Sequence, residues 1–152
     1  MKWRADNLMA LEKVAHYALE QAIEKAASTK AAVLALHGNL GAGKTAFTKS
    51  IAKILGITAT ITSPTFVIQK SFDMPADHVG KYGAIKKLIH IDTYRIDLQD
   101  ELVKLGWREN VADAGNLIAV EWPENIPDLL PRETVHVYFE FINETTREIE
   151  IR

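Results

Sequence analysis

The chain has 152 residues, 47% of them hydrophobic and 25% charged, with a formal net charge of -2 and no cysteine. This is the composition of a single globular domain with a real core, taken as residues 1–152. The charge argues against a broadly basic nucleic-acid surface, the missing cysteines exclude disulfides and thiolate metal sites, and no apolar stretch approaches a secretory core or a membrane span of ~20 residues. A cytoplasmic protein with no membrane association is expected.

Leu8, Leu11, Val14, Ala15, Ala18, Leu19, Ala22, Ile23 and Ala26 recur at helical spacing. Asp6 or Asn7 precedes them as an N-cap, since a short side-chain oxygen accepts the free first-turn amides. Ala31–His37 is a short apolar run that reads as a buried strand. Phe47, Ile51, Ile54 and Leu55 then return to helical spacing, with Gly56 as the stop. Thr65–Phe72 reads as a strand, Asp73–Gly83 as a loop, and Lys87–Asp92 (KLIHID) as another strand. Asp97 is placed to cap a short helix whose first turn holds Asp100 and Glu101, with Gly106 at its end. Leu117–Glu121 (LIAVE) is a third apolar strand. Val135, Val137, Phe139 and Phe141 alternate with polar neighbours, Asn143–Thr146 is a turn, and Arg147–Arg152 returns with Ile149 and Ile151 inward. Helices and strands alternate and strands close the chain. The expected fold is α/β, a P-loop NTPase-like three-layer sandwich with a mixed sheet and a C-terminal antiparallel hairpin.

Between the first strand and the second helix stands Gly38-Asn39-Leu40-Gly41-Ala42-Gly43-Lys44-Thr45, a full match to G-x-x-x-x-G-K-[ST]. Such a loop curls so that successive amides face phosphate oxygens, and the helix behind it adds its positive end. Lys44 is then a point charge for the β- and γ-phosphates and Thr45 a hydroxyl for magnesium. Asn39 through Ala46, and within it Leu40, Gly41, Ala42 and Gly43, form the expected nucleotide contact. The implied cofactors are ATP or ADP and Mg2+.

A phosphate loop needs acidic partners at neighbouring strand ends. Asp92 follows one apolar run and Glu121 another. Asp92 is assigned mainly to the metal and Glu121 mainly to the attacking water; the two roles are exchangeable. Both are candidate metal ligands with Thr45, and Lys44, Asp92, Glu121 and Thr65 are the candidate catalytic set. Thr65, in Ser63-Pro64-Thr65-Phe66, stands where switch segments place a threonine near the γ-phosphate, although a proline turn that starts a strand reads the same. Arg95 suits a contact with phosphate or with a partner, or a solvated arginine equally well. Trp122 suits either shielding of the nucleotide or packing of the sheet edge. His90, between apolar neighbours, reads as a core or sheet-face histidine.

Taken together and in this order, GNLGAGKT, SPTF, HIDTYR and EWPE resemble the TsaE family of bacterial P-loop ATPases, also called YjeE. The resemblance runs from about Leu8 to the terminal hairpin. It implies a role in making N6-threonylcarbamoyladenosine in tRNA, with homologues of TsaD and TsaB as partners and tRNA met only through that complex. It further implies ATP bound at the TsaE–TsaD boundary, weak hydrolysis by the isolated subunit, and hydrolysis that resets the complex. By motif match Lys44 and Thr45 take the phosphate and metal roles, Asp92 the Walker-B-like role and Glu121 the role of the EWPE glutamate. Thr65 takes the switch role, and Trp122 lies near the nucleotide. Two positions depart from the family: Asn39 stands where Asp is usual and Ala46 where Thr is frequent. The segment Asp73–Lys86 is longer than typical and is expected to be an exposed loop. Two other functions fit the residues: a small-molecule or nucleotide kinase, and a nucleotide-gated binding module without turnover.

Overall fold

The computed structural model describes residues 1–64, 68–95 and 99–152. A seven-stranded mixed sheet runs in the order β1-β7-β6-β2-β5-β4-β3. Its strands are β1 (Lys2–Ala5), β2 (Ala32–His37), β3 (Gln69–Asp73), β4 (Lys87–Asp92), β5 (Asn116–Glu121), β6 (Val135–Phe141) and β7 (Arg147–Ile151). The helices are α1 (Leu8–Ala26), α2 (Lys44–Ile54), α3 (Gln99–Lys104) and α4 (Trp107–Ala112).

β2 and β5 lie at the centre and pair in parallel, β5 with β4 and β2 with β6 likewise. Strands covered on both faces read as continuous apolar runs, which is how AVLALH and NLIAVE read in the sequence. Their alternate side chains feed two cores. Leu34, Leu36, Leu88, Leu117 and Ala119 pack with α1 and α2 on one face. Val33, Ile89, Ile91, Ile118 and Val120 pack with Leu102 of α3 and Trp107 of α4 on the other. β6 and β7 form the expected antiparallel hairpin, with Val135, Val137, Ile149 and Ile151 buried.

α1 is capped by Asn7, whose Oδ1 accepts from the Ala10 amide at 2.9 Å; Asp6 is not the cap. Gly56, at φ 76, follows the end of α2 as expected. Three departures from expectation have local causes. β1 carries no strand signal of its own and forms because β7 offers it a free edge, pairing Lys2 with Glu150 through Ala5 with Arg147. Gly106 ends α3, yet its φ of 90 starts α4 at once, anchored by the buried Trp107. The segment after β3 is not wholly free. Ile85 is buried, the Tyr82 hydroxyl lies 3.2 Å from His16 Nδ1, and Lys81 pairs with Glu20, which ties the loop onto α1. The Asp97 cap and residues 65–67 of the expected Thr65–Phe72 strand lie outside the described residues; the described part of that strand begins at Gln69.

Between β2 and β4 the chain skips a place, which β5 later fills, and it then crosses beyond β2 to form β6. The carboxyl ends of β2, β5 and β4 therefore converge where strand order reverses, the position at which open α/β sheets bind ligands. Leu36 pairs with Glu121, and Glu121 with Asp92.

Candidate nucleotide site

The loop from Gly38 to Gly43 leaves the end of β2 and delivers the chain into α2 at Lys44. Gly38 has φ 145 and lies so close to β6 that a β-carbon there would meet the Phe139 carbonyl oxygen at 2.8 Å. Only a glycine accommodates both conditions. The loop's far side is held by Arg147 of β7, whose Nε donates to the Ala42 carbonyl at 3.0 Å and whose Nη2 donates to that of Gly41 at 3.3 Å. Arg147 also stacks 4.5 Å over the Phe141 ring and donates to Asn143 and Thr146 carbonyls, so the hairpin and the loop form one rigid seat. Asn39 and Leu40 lie at the outer rim, Leu40 being 88% exposed, whereas Ala42 is buried.

Lys44 is buried at the first turn of α2. Its Nζ folds back to donate to the Gly38 and Asn39 carbonyls, the latter at 3.1 Å, and lies 4.2 Å from the centre of the Trp122 ring. Burial pushes its pKa below the usual lysine range, while the charges of Glu121, Glu124 and Asp92 pull it back up. The next residue, Thr45, donates its hydroxyl to Glu121 Oε1 at 2.9 Å. The structure thus brings Lys44, Thr45, Asp92, Glu121 and Trp122 together. Thr65 lies outside the described residues.

Glu121 and Asp92 are each only 3% exposed, and by the alternation of β5 and β4 both share the face that α2 covers. Asp92 is held from two sides, by the Ser63 hydroxyl at 2.9 Å on Oδ2 and the Tyr94 amide at 2.9 Å on Oδ1. Trp122 breaks the strand with a left-handed backbone, φ 59 and ψ 49, which turns its ring towards Lys44 and to 5.0 Å from Tyr94. Thr93 fastens that turn, its hydroxyl donating to the carbonyls of Glu121 and Trp122. Asn125 in turn donates to the Thr93 carbonyl at 2.8 Å.

A metal fits these residues as a hard, oxygen-seeking ion. Among the described residues no trio of His, Asp or Glu is arranged to hold one unaided. Two buried carboxylates and one hydroxyl at the start of a helix instead suit Mg2+, which keeps waters and shares phosphate oxygens. Beside the loop, a cavity of about 650 Å³ opens between the start of α1, Gly43 and Ala46 of the second helix, and the β6–β7 turn. Leu8, Met9 and Leu11 make it largely apolar.

His90 is the fully buried core histidine expected. Sequence reasoning missed three contacts of the site, the first being His90 Nε2 2.9 Å from Glu121 Oε1, for which a polar residue amid an apolar strand was the available signal. Arg147 and Thr93 had none, because each acts through a backbone that only the folded sheet brings near.

The arrangement is that of the phosphate-loop class of α/β proteins: a glycine loop between the central strand and a helix, facing acidic side chains on the adjacent strand ends. A family model described as "Threonylcarbamoyl adenosine biosynthesis protein TsaE" matches residues 10–149. The tRNA threonylcarbamoyladenosine biosynthesis protein TsaE of Bacillus subtilis (strain 168) is 36% identical over 149 residues, which cover 98% of this chain and 83% of that protein. Its namesake in Treponema pallidum (strain Nichols) is 34% identical over 119 residues, 78% of this chain and 80% of the relative. The crystal structure of Bacillus subtilis YdiB matches with a TM-score of 0.61 at 32% identity, covering 98% of this chain and 82% of that one. The chain belongs to the TsaE family. Among the described residues no helix is long and apolar enough to cross a membrane.

Proposed function

We propose that this chain is the ATP-binding and ATP-hydrolysing subunit of the system that forms N6-threonylcarbamoyladenosine in tRNA, acting with a TsaD–TsaB pair whose cycle it resets. Family membership supports the pathway, since the relatives carry it in their names. The observation that carries the chemistry is the contact of Thr45 with Glu121 beside Lys44. It joins the hydroxyl that follows Lys44 to a buried carboxylate, with Asp92 beside Glu121 on the next strand, a set suited to a metal and a phosphate.

In this reading the loop amides and Lys44 hold the β- and γ-phosphates, with the positive end of α2 behind them. Mg2+ would neutralise charge on the phosphates, held by Thr45 and Asp92 with Glu121 beside them. Glu121 orients a water whose oxygen bonds to the γ-phosphorus as the bond to the β–γ bridging oxygen breaks. The products are ADP and inorganic phosphate, and the water's proton leaves to the acidic cluster or solvent. The apolar cavity beside Gly43 and Ala46 suits a base and ribose in size and lining.

Steady-state ATP hydrolysis with magnesium, for the chain alone and with purified TsaD–TsaB, tests the proposal. Slow turnover that rises strongly with the pair is expected. Lys44→Ala is expected to weaken ATP binding by about 10- to 100-fold, the worth of a hydrogen bond to a charged group. No stimulation, with phosphate passed to a small acceptor, would favour a kinase, and unchanged ATP affinity in Lys44→Ala would remove the phosphate-loop assignment.

A further inference from the structure

We infer that His90 is a positioning residue that fixes the Glu121 carboxylate, an inference that rests on the reading of Glu121 as a working group of the nucleotide site. His90 sits in the middle of β4, opposite Ala119 of β5, and is completely buried. From there its Nε2 reaches Glu121 Oε1 at 2.9 Å, and that same oxygen accepts the Thr45 hydroxyl at 2.9 Å. An ionised carboxylate only accepts hydrogen bonds, so Nε2 carries the proton. Nδ1 is buried and has no hydrogen-bond partner.

That orphaned nitrogen carries the inference. A side chain kept only for packing in this strand would be apolar like Ile89 and Ile91 on either side, with no buried polar atom left unpaired. The imidazole leaves one nitrogen unsatisfied while its other nitrogen is spent on Glu121. The arrangement gains its sense when Thr45 turns its oxygen to a magnesium ion. Glu121 Oε1 then relies on the remaining donor, and His90 comes from the rigid centre of the sheet rather than from a loop. A buried donor of this kind holds a carboxylate at one orientation, which is what a water-directing or metal-binding group requires.

Two measurements on the full chain test this. The first needs no turnover: nitrogen-15 shifts of the imidazole are expected to show Nε2 of His90 protonated and to move in Glu121→Gln. An Nε2 without a proton overturns the inference. The second compares His90→Leu, which keeps apolar volume, with His90→Gln, whose amide nitrogen can stand where Nε2 stood. His90→Leu is expected to lower kcat by about 10- to 100-fold, the usual cost of losing a supporting donor, with KM little changed and no drop in thermal midpoint. His90→Gln is expected to recover part of that kcat. Wild-type kcat in His90→Leu, or a loss that follows a fallen thermal midpoint and is not relieved by glutamine, overturns it. The hydrolytic reading fails separately, if wild-type turnover is absent or persists unchanged in Lys44→Ala.

Discussion

Replacing Gly38 by alanine tests whether the phosphate loop is seated on β6. The added β-carbon would lie 2.8 Å from the Phe139 carbonyl oxygen, 3.1 Å from Ala42 Cβ and 3.2 Å from Phe139 Cβ. The oxygen belongs to a strand paired on both sides, so it cannot move without disturbing the sheet. Gly41 is the internal control: its φ is 78, and nothing lies within 4 Å of the same added atom. Gly41→Ala meets only the left-handed penalty of about 1–2 kcal/mol. Gly38→Ala meets a backbone penalty of about 1–3 kcal/mol, and overpacking against main chain adds about 1–3 kcal/mol more. The difference of about 2 kcal/mol corresponds to roughly 4–8 °C in the thermal midpoint of a chain this size. Urea unfolding read by far-UV circular dichroism, with a parallel thermal melt, measures both variants against wild type. If Gly38→Ala loses no more than Gly41→Ala, the close approach to Phe139 is not a constraint, and the account of Gly38 is wrong.

Phe47 is completely buried on α2 and meets Phe139 edge-on at 5.2 Å, so Phe47→Ala is expected to cost about 3–5 kcal/mol in urea unfolding. His136 supplies a pH test. Burial, with the nearby charges of His37 and Lys25, pushes its pKa below the usual histidine value, and its Nδ1 lies 2.9 Å from His37 Nε2. The folded state therefore releases this proton at a lower pH than the unfolded chain does. The associated stability is complete above about pH 6.5 and is lost as pH falls towards the folded pKa. His136→Asn should flatten this part of the pH dependence, as read from urea midpoints between about pH 7.5 and about pH 5.5.

What the sequence revealed was what local spacing encodes. The loop Gly38–Thr45, the apolar strands ending at Asp92 and Glu121, α1, α2 and the terminal hairpin are all repetitive or motif-bearing, and each stands where its pattern placed it. β1 was illegible because a four-residue edge strand is made by its neighbour; Lys2–Ala5 has no alternation strong enough to announce it. α4 was hidden behind Gly106, a residue that stops one helix and starts the next by the same positive φ. The supports of the site were hidden for a different reason. His90 meets Glu121 across 31 positions and Arg147 meets Ala42 across 105, and such pairs follow from strand order, which spacing alone does not give.

Strand order also explains how the site can combine a fixed frame with one moving part. Lys44 rests on the Gly38 and Asn39 carbonyls and the Trp122 ring. Net contributions there are about 1.5–3 kcal/mol per hydrogen bond from the charged ammonium and about 0.5–2 kcal/mol for the ring. A phosphate oxygen offers the same donor a full opposite charge, which a neutral carbonyl lacks, and so holds the ammonium more strongly. In the proposed reading a nucleotide therefore draws the ammonium off its resting place. The loop need not unravel when it goes, because the Asn39 carbonyl keeps the Ala42 amide at 3.0 Å and Arg147 keeps Gly41 and Ala42. Below the lysine, Glu121 is held from β4 by His90, and Trp122 is held in its left-handed turn by Thr93. In that reading the β6–β7 hairpin belongs to the nucleotide site as much as the loop does, since Arg147 of β7 holds the Gly41 and Ala42 carbonyls.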